Sequence, residues 1–402
     1  MRTVFQRGAS GFRLLTLGAG VVVLAGLTTS CGGDGEAAEG GETEIVVGAT
    51  TPLSGDYAAV SAGVKAGEAA FEALNADGGL DGVKVKFIMR DDQYNPANTP
   101  SATRDLVESE GAVMMCDSQG AVPQASVKDY LESRQVPTVV NAGDPTLDGE
   151  YHYLVISDYQ QFGAELVRYA SEDLGATSTA VTYSDDALGN PVREGAEAEL
   201  SNLSLDPAAT VKFDPAASSM SAQAAQLKES GADFVVLPGT APTVAKLINS
   251  AEQIGYTPDW GLMFAAQSPV LDELTKGKVD GRAHFVTPFI DTASDAGAEY
   301  RETLEQYAPD IEPNDGPTIA GFTIAKVCIA ALEKAVDDAG GEVPSSEQVQ
   351  AALSSLTLDD DFIQGIDWTG DTHQGSSSGQ VLKLDGGEFV AQTDFAPFPE
   401  VG

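Results

Sequence analysis

Apolar and polar positions follow two periods in the first part of the chain, one typical of buried strands and the other of helices. The segment "EIVVGATTPLSG" (44–55) is a β-branched run that ends in a turn, and the segment 62–82 carries apolar residues at helical spacing. The same pattern predicts strands, with their following loops, in 83–93, 112–120 and 136–147, and helices in 98–111 and 122–135. Because strands and helices alternate strictly with short connections, we predict a parallel sheet with helices on both faces.

The alternation restarts near residue 164, which predicts a second α/β lobe rather than one long sheet. Helices are predicted in 164–175, 191–203, 219–231 and 243–255, and strands within 178–189, 210–214, 233–242 and 260–267. The segment 281–291 then leads to a long apolar helix at 317–340, and 379–393 gives two short β runs. A chain of 402 residues with 42% apolar content is large enough for two cores.

The N-terminus has the layout of an export signal. Arginines precede an apolar stretch at 14–27, which is too short to span a bilayer comfortably, and small residues lead to Cys31. This junction resembles the lipobox of bacterial lipoproteins, although Thr28 stands where leucine is usual. We predict a lipoprotein signal peptide at 1–30 and lipidation of Cys31, which would then be the mature N-terminus.

The segment 31–43 is rich in Gly and Glu and has little to bury, so we predict a flexible acidic tether. An ordinary signal peptide cut near Ser30 is the alternative to lipidation. Cys116 and Cys328 are the remaining cysteines. A disulfide between them is possible in an exported protein, and two buried free thiols are the alternative that we favour.

The chain is strongly acidic, with 22 basic and 61 acidic residues and a net charge of −39. This charge excludes nucleic acid as a partner. The acidic residues are spread along the whole chain, so a solvated surface is favoured over the attraction of cationic ligands.

None of the candidate catalytic motifs is complete, so we predict neither an enzyme nor a cofactor. "GSSSG" (375–379) matches the form of a nucleophile elbow, but His373 precedes it and no histidine follows. His152, His284 and His373 share no metal-binding spacing. The acidic run 358–361 lacks the spaced ligands of a calcium loop.

Several segments match one family in order. They are the Pro-Leu-Ser-Gly turn at 52–55, "NADGG" at 75–79, Asp91-Asp92, "VPTVVNAGDPTL" at 136–147 and "YSDDALGNPVREG" at 183–195. Together they resemble the leucine/isoleucine/valine-binding type of type I periplasmic binding proteins, over residues 44–393. These proteins are the solute-binding subunits of ABC importers for amino acids, amides and small organic acids.

The resemblance implies two doubly wound Rossmann-like lobes joined by a three-strand hinge. It places lobe 1 at 44–155 and 286–370, and lobe 2 at 156–285 and 371–396. A small molecule would bind in the interlobe cleft and be delivered to ABC permease subunits, with the protein held by its lipid on the outer face of the cytoplasmic membrane. A ligand-sensing component of a signalling system with the same fold is the alternative.

Ligands of doubly wound sheets bind beyond the carboxyl ends of the strands. In lobe 1 these ends are Tyr57, Ser118-Gln119-Gly120 and Asn141-Ala142-Gly143. In amino-acid-binding relatives, a serine after one strand and the backbone plus a threonine after the next hold the ligand. Ser118 can serve the first role, with a helix N-cap as its structural alternative, whereas Gly143 stands where the threonine is expected.

In lobe 2 the strand ends are Asp185 to Leu188, Thr240 and Phe264. Relatives place aromatic residues at the positions of Leu188 and Thr240 and an acid near Phe264, and this chain keeps none of the three. Phe264 could stack on a ligand or belong to the core, and Asp144, Asp185 or Asp186 could supply the missing acid. These departures favour a small carboxylate or amide with an apolar or flat body over a branched-chain amino acid.

Overall fold

A computed structural model of the protein describes residues 44–55 and 57–401. The predicted signal peptide and the whole of the predicted tether, including Cys31, lie outside these residues. The first sheet has five strands, all parallel, in the order β2-β1-β3-β4-β5. They are β1 (Glu44–Thr51), β2 (Lys84–Asp91), β3 (Met114–Gln119), β4 (Thr138–Asn141) and β5 (His152–Leu154). The strands β1, β3, β4 and β5 are mostly buried, as expected for a parallel sheet covered on both faces, whereas the edge strand β2 is mostly half-buried.

The helices of the first lobe come from two distant parts of the chain. They are α1 (Ser61–Ala76), α2 (Thr99–Arg104), α3 (Ala121–Ala125), α4 (Lys128–Arg134), α10 (Ala298–Tyr307), α11 (Gly316–Asp338) and α12 (Ser346–Leu353). The long helix α11 packs against α1 and crosses β3 and β4. A two-stranded ribbon of β11 (Thr357–Leu358) and β12 (Ile366–Asp367) follows α12.

The second lobe is built on a sheet that is parallel in its centre. Its strands are β6 (Thr179–Ser184), β7 (Thr210–Phe213), β8 (Phe234–Val236), β9 (Asp259–Met263), β10 (Ala283–Thr287), β13 (Ser378–Asp385), β14 (Glu388–Ala391) and β15 (Ala396–Pro397). The order is β14-β13-β10-β9-β8-β6-β7, and β13 pairs antiparallel with β10, β14 and β15. The helices are α5 (Tyr159–Glu172), α6 (Gly189–Asn202), α7 (Ser221–Ser230), α8 (Ala241–Gln253) and α9 (Pro269–Thr275).

The chain passes between the two sheets three times: after β5, after β10 and before β13. The first and third passages lie side by side. The Leu154 N–H donates to the carbonyl of His373 at 2.8 Å, and the Ser157 hydroxyl donates to the carbonyl of Ser376. The predicted pair of parallel-sheet lobes is therefore confirmed.

Cys116 and Cys328 form a disulfide, with their Cα atoms 6.4 Å apart, so the expectation of two free thiols is wrong. Cys116 lies in β3 and Cys328 in α11, 212 residues later. The two residues meet because α11 crosses the sheet over β3. This crossing is a tertiary contact that the spacing of the cysteines does not reveal.

Two predicted helices are divided in the structure. The helix expected at 122–135 becomes α3 and α4, because Val127 leaves the helical region with φ −120° and ψ −5°. The helix expected at 98–111 is α2 followed by one π-helical turn at 105–109. Within the part of the chain that the structure describes, no helix has both the length and the apolarity to cross a membrane.

Candidate functional site

A cavity of about 110 Å³ lies where the carboxyl ends of strands from both sheets meet. The first lobe contributes Tyr57, Tyr94, Ala121 and Val122, and Tyr159 follows the first passage between the lobes. The second lobe contributes Ser184, Asp186, Ala187, Leu188, Phe213, Pro215, Pro238, Gly239, Thr240 and Thr243. The walls that the described residues form are therefore mainly aromatic and aliphatic, with a few hydroxyl groups and one carboxylate. We call it the first cavity.

A second cavity of about 300 Å³ also lies between the lobes and shares Thr240 with the first. Its walls are formed by the starts of α1, α8, α9 and α11 and by the segment around Ala265. Most of its lining is apolar, including Val60, Pro242 and Val270. Asp315 and Ser268 add polar groups. Thr240 thus stands at the boundary between the two cavities.

Tyr57 and Tyr94 form the aromatic wall of the first lobe. Their rings stack with centroids 4.8 Å apart and planes inclined by 25°. The Tyr94 ring also lies against Gly120, which has φ +87° and is the residue before α3. A Cβ added to Gly120 would be 2.4 Å from Cε2 of Tyr94. Only glycine leaves room for this ring, so Gly120 shapes the cavity wall by its lack of a side chain.

Two neighbouring aspartates hold the loops that carry these tyrosines. Asp91 accepts hydrogen bonds from the N–H of Leu53 at 2.9 Å and the Ser54 hydroxyl at 2.5 Å. Asp92, which is fully buried, accepts from the Tyr94 N–H at 2.9 Å. The match of Asp91-Asp92 to the family pattern therefore has a structural explanation, because these carboxylates fix the loop before Tyr57 and the loop containing Tyr94.

The pKa values of the two carboxyls move in opposite directions. Burial works to raise the pKa of Asp91, but hydrogen bonds from Ser54, Gln93 and Leu53 outweigh it, and the net shift is downward. Burial dominates at Asp92 and raises its pKa, with the neighbouring Asp91 acting in the same direction. Asp91 is therefore held as an anion at neutral pH.

Gln119 supports the same aromatic wall through hydrogen bonds, without lining the cavity. Its Nε2 donates to the carbonyl of Val60 at 2.9 Å, and its Oε1 accepts from the Thr51 hydroxyl at 3.2 Å. Thr51 is the last residue of β1 and Val60 directly precedes α1, so the two partners stand at the two ends of the connection that contains Tyr57. The structure places Gln119 beneath the cavity, where it positions this connection, and not in the lining.

Ser118 lies inside β3 and does not line either cavity. The strand bulges between Cys116 and Ser118, and the intervening Asp117 has φ +58°. The bulge turns the Ser118 hydroxyl towards β1, where it accepts from the Thr50 N–H at 3.2 Å. Ser118 is neither the N-cap of α3, which is Gly120, nor part of the cavity wall.

Three further residues predicted for lobe 1 lie at the end of β4. Asn141 donates from Nδ2 to Oδ1 of Asp117 at 2.8 Å, and Ala142 is fully buried. The Gly143 carbonyl accepts from the Tyr159 N–H at 3.0 Å, and a Cβ on Gly143 would be 2.7 Å from the Tyr159 ring. The glycine that replaces the expected threonine therefore makes room for an aromatic side chain of the cavity.

In lobe 2, Asp186 lines the first cavity and Asp185 does not. Asp185 is exposed and binds Lys212, with Oδ2 and Nζ 2.6 Å apart, outside the cavity lining. Asp186 lines the cavity, and its Oδ1 accepts from the N–H groups of Leu188 and Gly189 at 3.0 and 2.8 Å. Leu188 also lines the cavity, as predicted.

Thr240 lines both cavities, whereas Phe264 lines neither. Phe264 is 5% exposed and makes edge contacts with Phe162 and Phe289, at centroid distances of 6.0 and 5.4 Å. The interpretation of Phe264 as a ligand-stacking residue is therefore replaced by its alternative, a core residue.

Tyr94 and Tyr159 were not among the residues predicted from the sequence. Burial raises the pKa of Tyr159 to about 12, and the carboxylates of Asp144 and Asp186 act in the same direction. Burial also raises the pKa of Tyr94, with smaller contributions from Tyr159, Tyr57 and Asp186. Both phenols are therefore neutral at pH 7. Tyr94 could have been found from the sequence, because it follows a strand of the same parallel sheet as Tyr57.

Two parallel-sheet lobes, three passages between them and a cavity at their strand ends define a two-lobed α/β binding-protein fold. A family model described as periplasmic binding protein matches residues 44–388. The chain belongs to this family, and the resemblance to its leucine/isoleucine/valine-binding type is confirmed. Within the described residues, no group of three or more His, Cys, Asp or Glu side chains could hold a metal ion.

Comparison with individual proteins shows distant relationships. An amino acid binding protein of Pseudomonas aeruginosa is 24% identical over 224 residues, which are 53% of this chain and 59% of that protein. Among solved structures, a branched-chain amino acid ABC transporter protein from Thermus thermophilus with bound valine has a TM-score of 0.80 at 20% identity. The match covers 90% of this chain and 97% of that one.

A fatty acid ABC transporter substrate-binding protein from Thermomonospora curvata has a TM-score of 0.79 at 20% identity, covering 88% of this chain and 92% of that one. The names of these two solved proteins specify chemically different solutes, an amino acid and a fatty acid, at the same identity to this chain. The comparisons therefore establish the fold but do not identify the solute that this chain binds.

Proposed function

We propose that the protein is an extracytoplasmic solute-binding lipoprotein that captures a small molecule between its lobes and delivers it to an ABC transporter permease. The observation that carries this proposal is the first cavity, whose lining comes from strand ends of both sheets. A solute bound there would contact both lobes at once. Binding would therefore favour the closed arrangement of the lobes by its differential affinity for it.

The proposal retains the lobe limits expected from the family, 44–155 with 286–370 and 156–285 with 371–396. Hinge motion would then occur at the passages after β5, after β10 and before β13. Delivery to a permease and anchoring through Cys31 belong to the same proposal. A lipid anchor and a loose tether would keep the protein close to its permease at high effective concentration.

The proposed role is binding without chemistry. Relatives are named as binding proteins for amino acids, for branched-chain amino acids and for fatty acids, which supports a solute-binding role. Amino acids, amides and small carboxylates are the expected solute classes. The preference for a small carboxylate or amide loses its main support in the site, because Ser118 does not line the cavity and its hydroxyl accepts a backbone hydrogen bond from Thr50.

A thermal-shift screen of amino acids, amides, amines and short carboxylates tests the proposal. A ligand at 100 times its dissociation constant stabilises the native state by about 2.7 kcal/mol, which raises the melting temperature measurably. Small-angle scattering with a hit from the screen should then show a smaller radius of gyration. Chemical turnover of that hit by the purified protein, or binding without compaction, would contradict the proposed role.

A further inference from the structure

The described residues that line the two interlobe cavities carry charges of only one sign. Among the described lining residues, Asp186 is the single charged one of the first cavity, and those of the second include Glu273, Glu312 and Asp315. No lysine, arginine or histidine lines either cavity in the described part of the chain. A carboxylate ligand would therefore enter without a cationic partner and beside carboxylates, which is electrostatically unfavourable in a partly desolvated site.

Asp186 is fixed in the cavity wall. Its Oδ1 accepts two backbone hydrogen bonds, from Leu188 and Gly189, and it forms no ion pair among the described residues. The neighbouring cation of this lobe, Lys212, is bound to Asp185 outside the cavity, at 2.6 Å. Asp186 thus presents a preorganised negative charge that a positively charged ligand group could neutralise.

Aromatic rings surround the same space. Tyr57 and Tyr94 line it as a stacked pair, and Tyr159 lines it at the start of α5. The faces of tyrosine rings attract ammonium groups, and the attraction increases when the cation is desolvated. The proximity of Asp186 to these rings is consistent with its contribution to the raised pKa values of Tyr94 and Tyr159. Rings and carboxylate together are suited to a cation.

The sizes of the cavities indicate the shape of the ligand. The first cavity, at about 110 Å³, is smaller than the roughly 300–1,000 Å³ typical of ligand pockets. The second reaches about 300 Å³ and adjoins the first at Thr240. Apolar residues such as Val60 and Pro242 form much of its wall. A ligand that fills both cavities must therefore be elongated and must pass Thr240.

We propose that the interlobe cleft binds an elongated organic cation of the alkylamine type. Its ammonium group lies beside Asp186 in the first cavity, and its apolar chain passes Thr240 into the second. This inference rests on the proposed solute-binding function and specifies the chemical class of the solute. It departs from the preference for a small carboxylate or amide that the sequence suggested.

Titration calorimetry on the mature protein tests the proposal with n-hexylamine and hexanoate, which share the chain and differ in the sign of charge. We expect hexylamine to bind at least tenfold more tightly than hexanoate. Propylamine, which has the same ammonium and a shorter chain, should bind more weakly than hexylamine. Tighter binding of hexanoate would contradict the positive charge of the proposed ligand. Equal binding of the two amines would contradict its proposed length.

Two variants locate the ammonium group. Asp186→Asn should weaken hexylamine binding by about 10- to 100-fold, the range expected when a hydrogen bond to a charged group is lost. The matched control is Asp185→Asn, which makes the same charge change one residue away and outside the cavity, and should leave the affinity within threefold. Equal losses in the two variants would contradict the placement beside Asp186. The comparison of hexylamine with hexanoate on the unmodified protein holds even if Asp186→Asn folds poorly.

A third variant, Ala265→Phe, fills part of the second cavity and leaves the lining of the first unchanged, so it should weaken hexylamine while leaving propylamine within threefold. Equal effects on both amines would refute the extended pose. If neither amine binds but the thermal-shift screen finds another solute that compacts the protein, the cation inference fails and the solute-binding function stands. If no compound of any class binds, the proposed function itself is contradicted.

Discussion

The Tyr94 ring occupies the space where a side chain on Gly120 would have to lie. A Cβ added to Gly120 would be 2.4 Å from Cε2 and 2.6 Å from the hydroxyl oxygen of Tyr94. The same ring stacks on Tyr57 at 4.8 Å, so the glycine supports an aromatic wall that continues across the cavity. Because Gly120 has no Cβ, the loop that contains Tyr94 can pack closely against the residue before α3, which is distant from it in sequence.

We predict that Gly120→Ala displaces Tyr94 and weakens ligand binding about tenfold or more. The substitution also carries backbone strain of about 1–3 kcal/mol, because Gly120 has φ +87° and ψ 131°, a region that residues with a side chain rarely adopt. Gly82→Ala is a matched control, since Gly82 has φ +90° with no atom within 4 Å of an added Cβ. Both variants should lose stability in urea unfolding, Gly120→Ala the more because of its contact with Tyr94, and only Gly120→Ala should lose affinity in calorimetry. An unchanged affinity would show that Tyr94 does not contact the ligand.

The sequence could predict where strands end but not where each side chain at those ends points. Tyr57, Leu188 and Thr240 line the cavity as expected, because the rule for parallel sheets depends only on strand position. Ser118 obeys the same rule, yet the bulge at Asp117 turns its hydroxyl towards β1. Every residue of β3 is buried, so this strand has no alternation of buried and exposed positions that a bulge could interrupt, and periodicity cannot reveal the bulge.

The fold was easier to predict from the sequence than the candidate site. The alternation of strands and helices predicted both sheets, because burial on two faces imposes a long apolar pattern on every central strand. The division of α3 from α4 and the disulfide between Cys116 and Cys328 depend on local dihedral angles and on helix crossing. Tyr159 entered the site because Gly143 leaves it room, which only the packed structure shows.

We predict that the native protein carries the Cys116–Cys328 disulfide and that it contributes substantially to stability. Alkylation of the unfolded, unreduced chain should label neither cysteine, and reduction beforehand should allow both to react. Because the bridge joins residues 212 apart, replacing both by alanine should lower the free energy of unfolding by about 3–5 kcal/mol. Labelling of either cysteine without reduction would contradict the pairing.

The predicted lipid anchor can be tested on Cys31 alone. Two acyl chains give stable membrane attachment, whereas removal of the acylated cysteine abolishes it. We therefore expect Cys31→Ser to move the protein from the membrane fraction to the soluble or secreted fraction in the producing cells. Ser30→Ala, which keeps the cysteine, is the control and should remain with membranes. Equal membrane association of both variants would support an ordinary signal peptide cleaved near Ser30.

The last prediction concerns Asp117, the bulged residue of β3, whose side chain is fully buried. Its Oδ1 accepts from Asn141 at 2.8 Å, while its Oδ2 has no hydrogen-bond partner in the structure. Burial raises its pKa from 3.8 to about 7, and the hydrogen bond from Asn141 offsets only part of this effect. Between these two pH values the native state holds a proton that the unfolded state has released.

The contribution of Asp117 to the free energy of unfolding therefore falls as the pH rises from 3.8 to about 7, and it levels off above pH 7. Between pH 5 and pH 8 the loss should be about 2–3 kcal/mol. Asp117→Asn keeps the acceptor for Asn141 and suits the positive φ of +58°, but it cannot ionise. We expect the variant to become more stable than the parent as the pH rises from 5 to 8, measured by urea unfolding at each pH. Asp206→Asn, at an exposed loop position, is the control and should follow the parent. Parallel curves for the parent and Asp117→Asn would show that Asp117 is already ionised at pH 5.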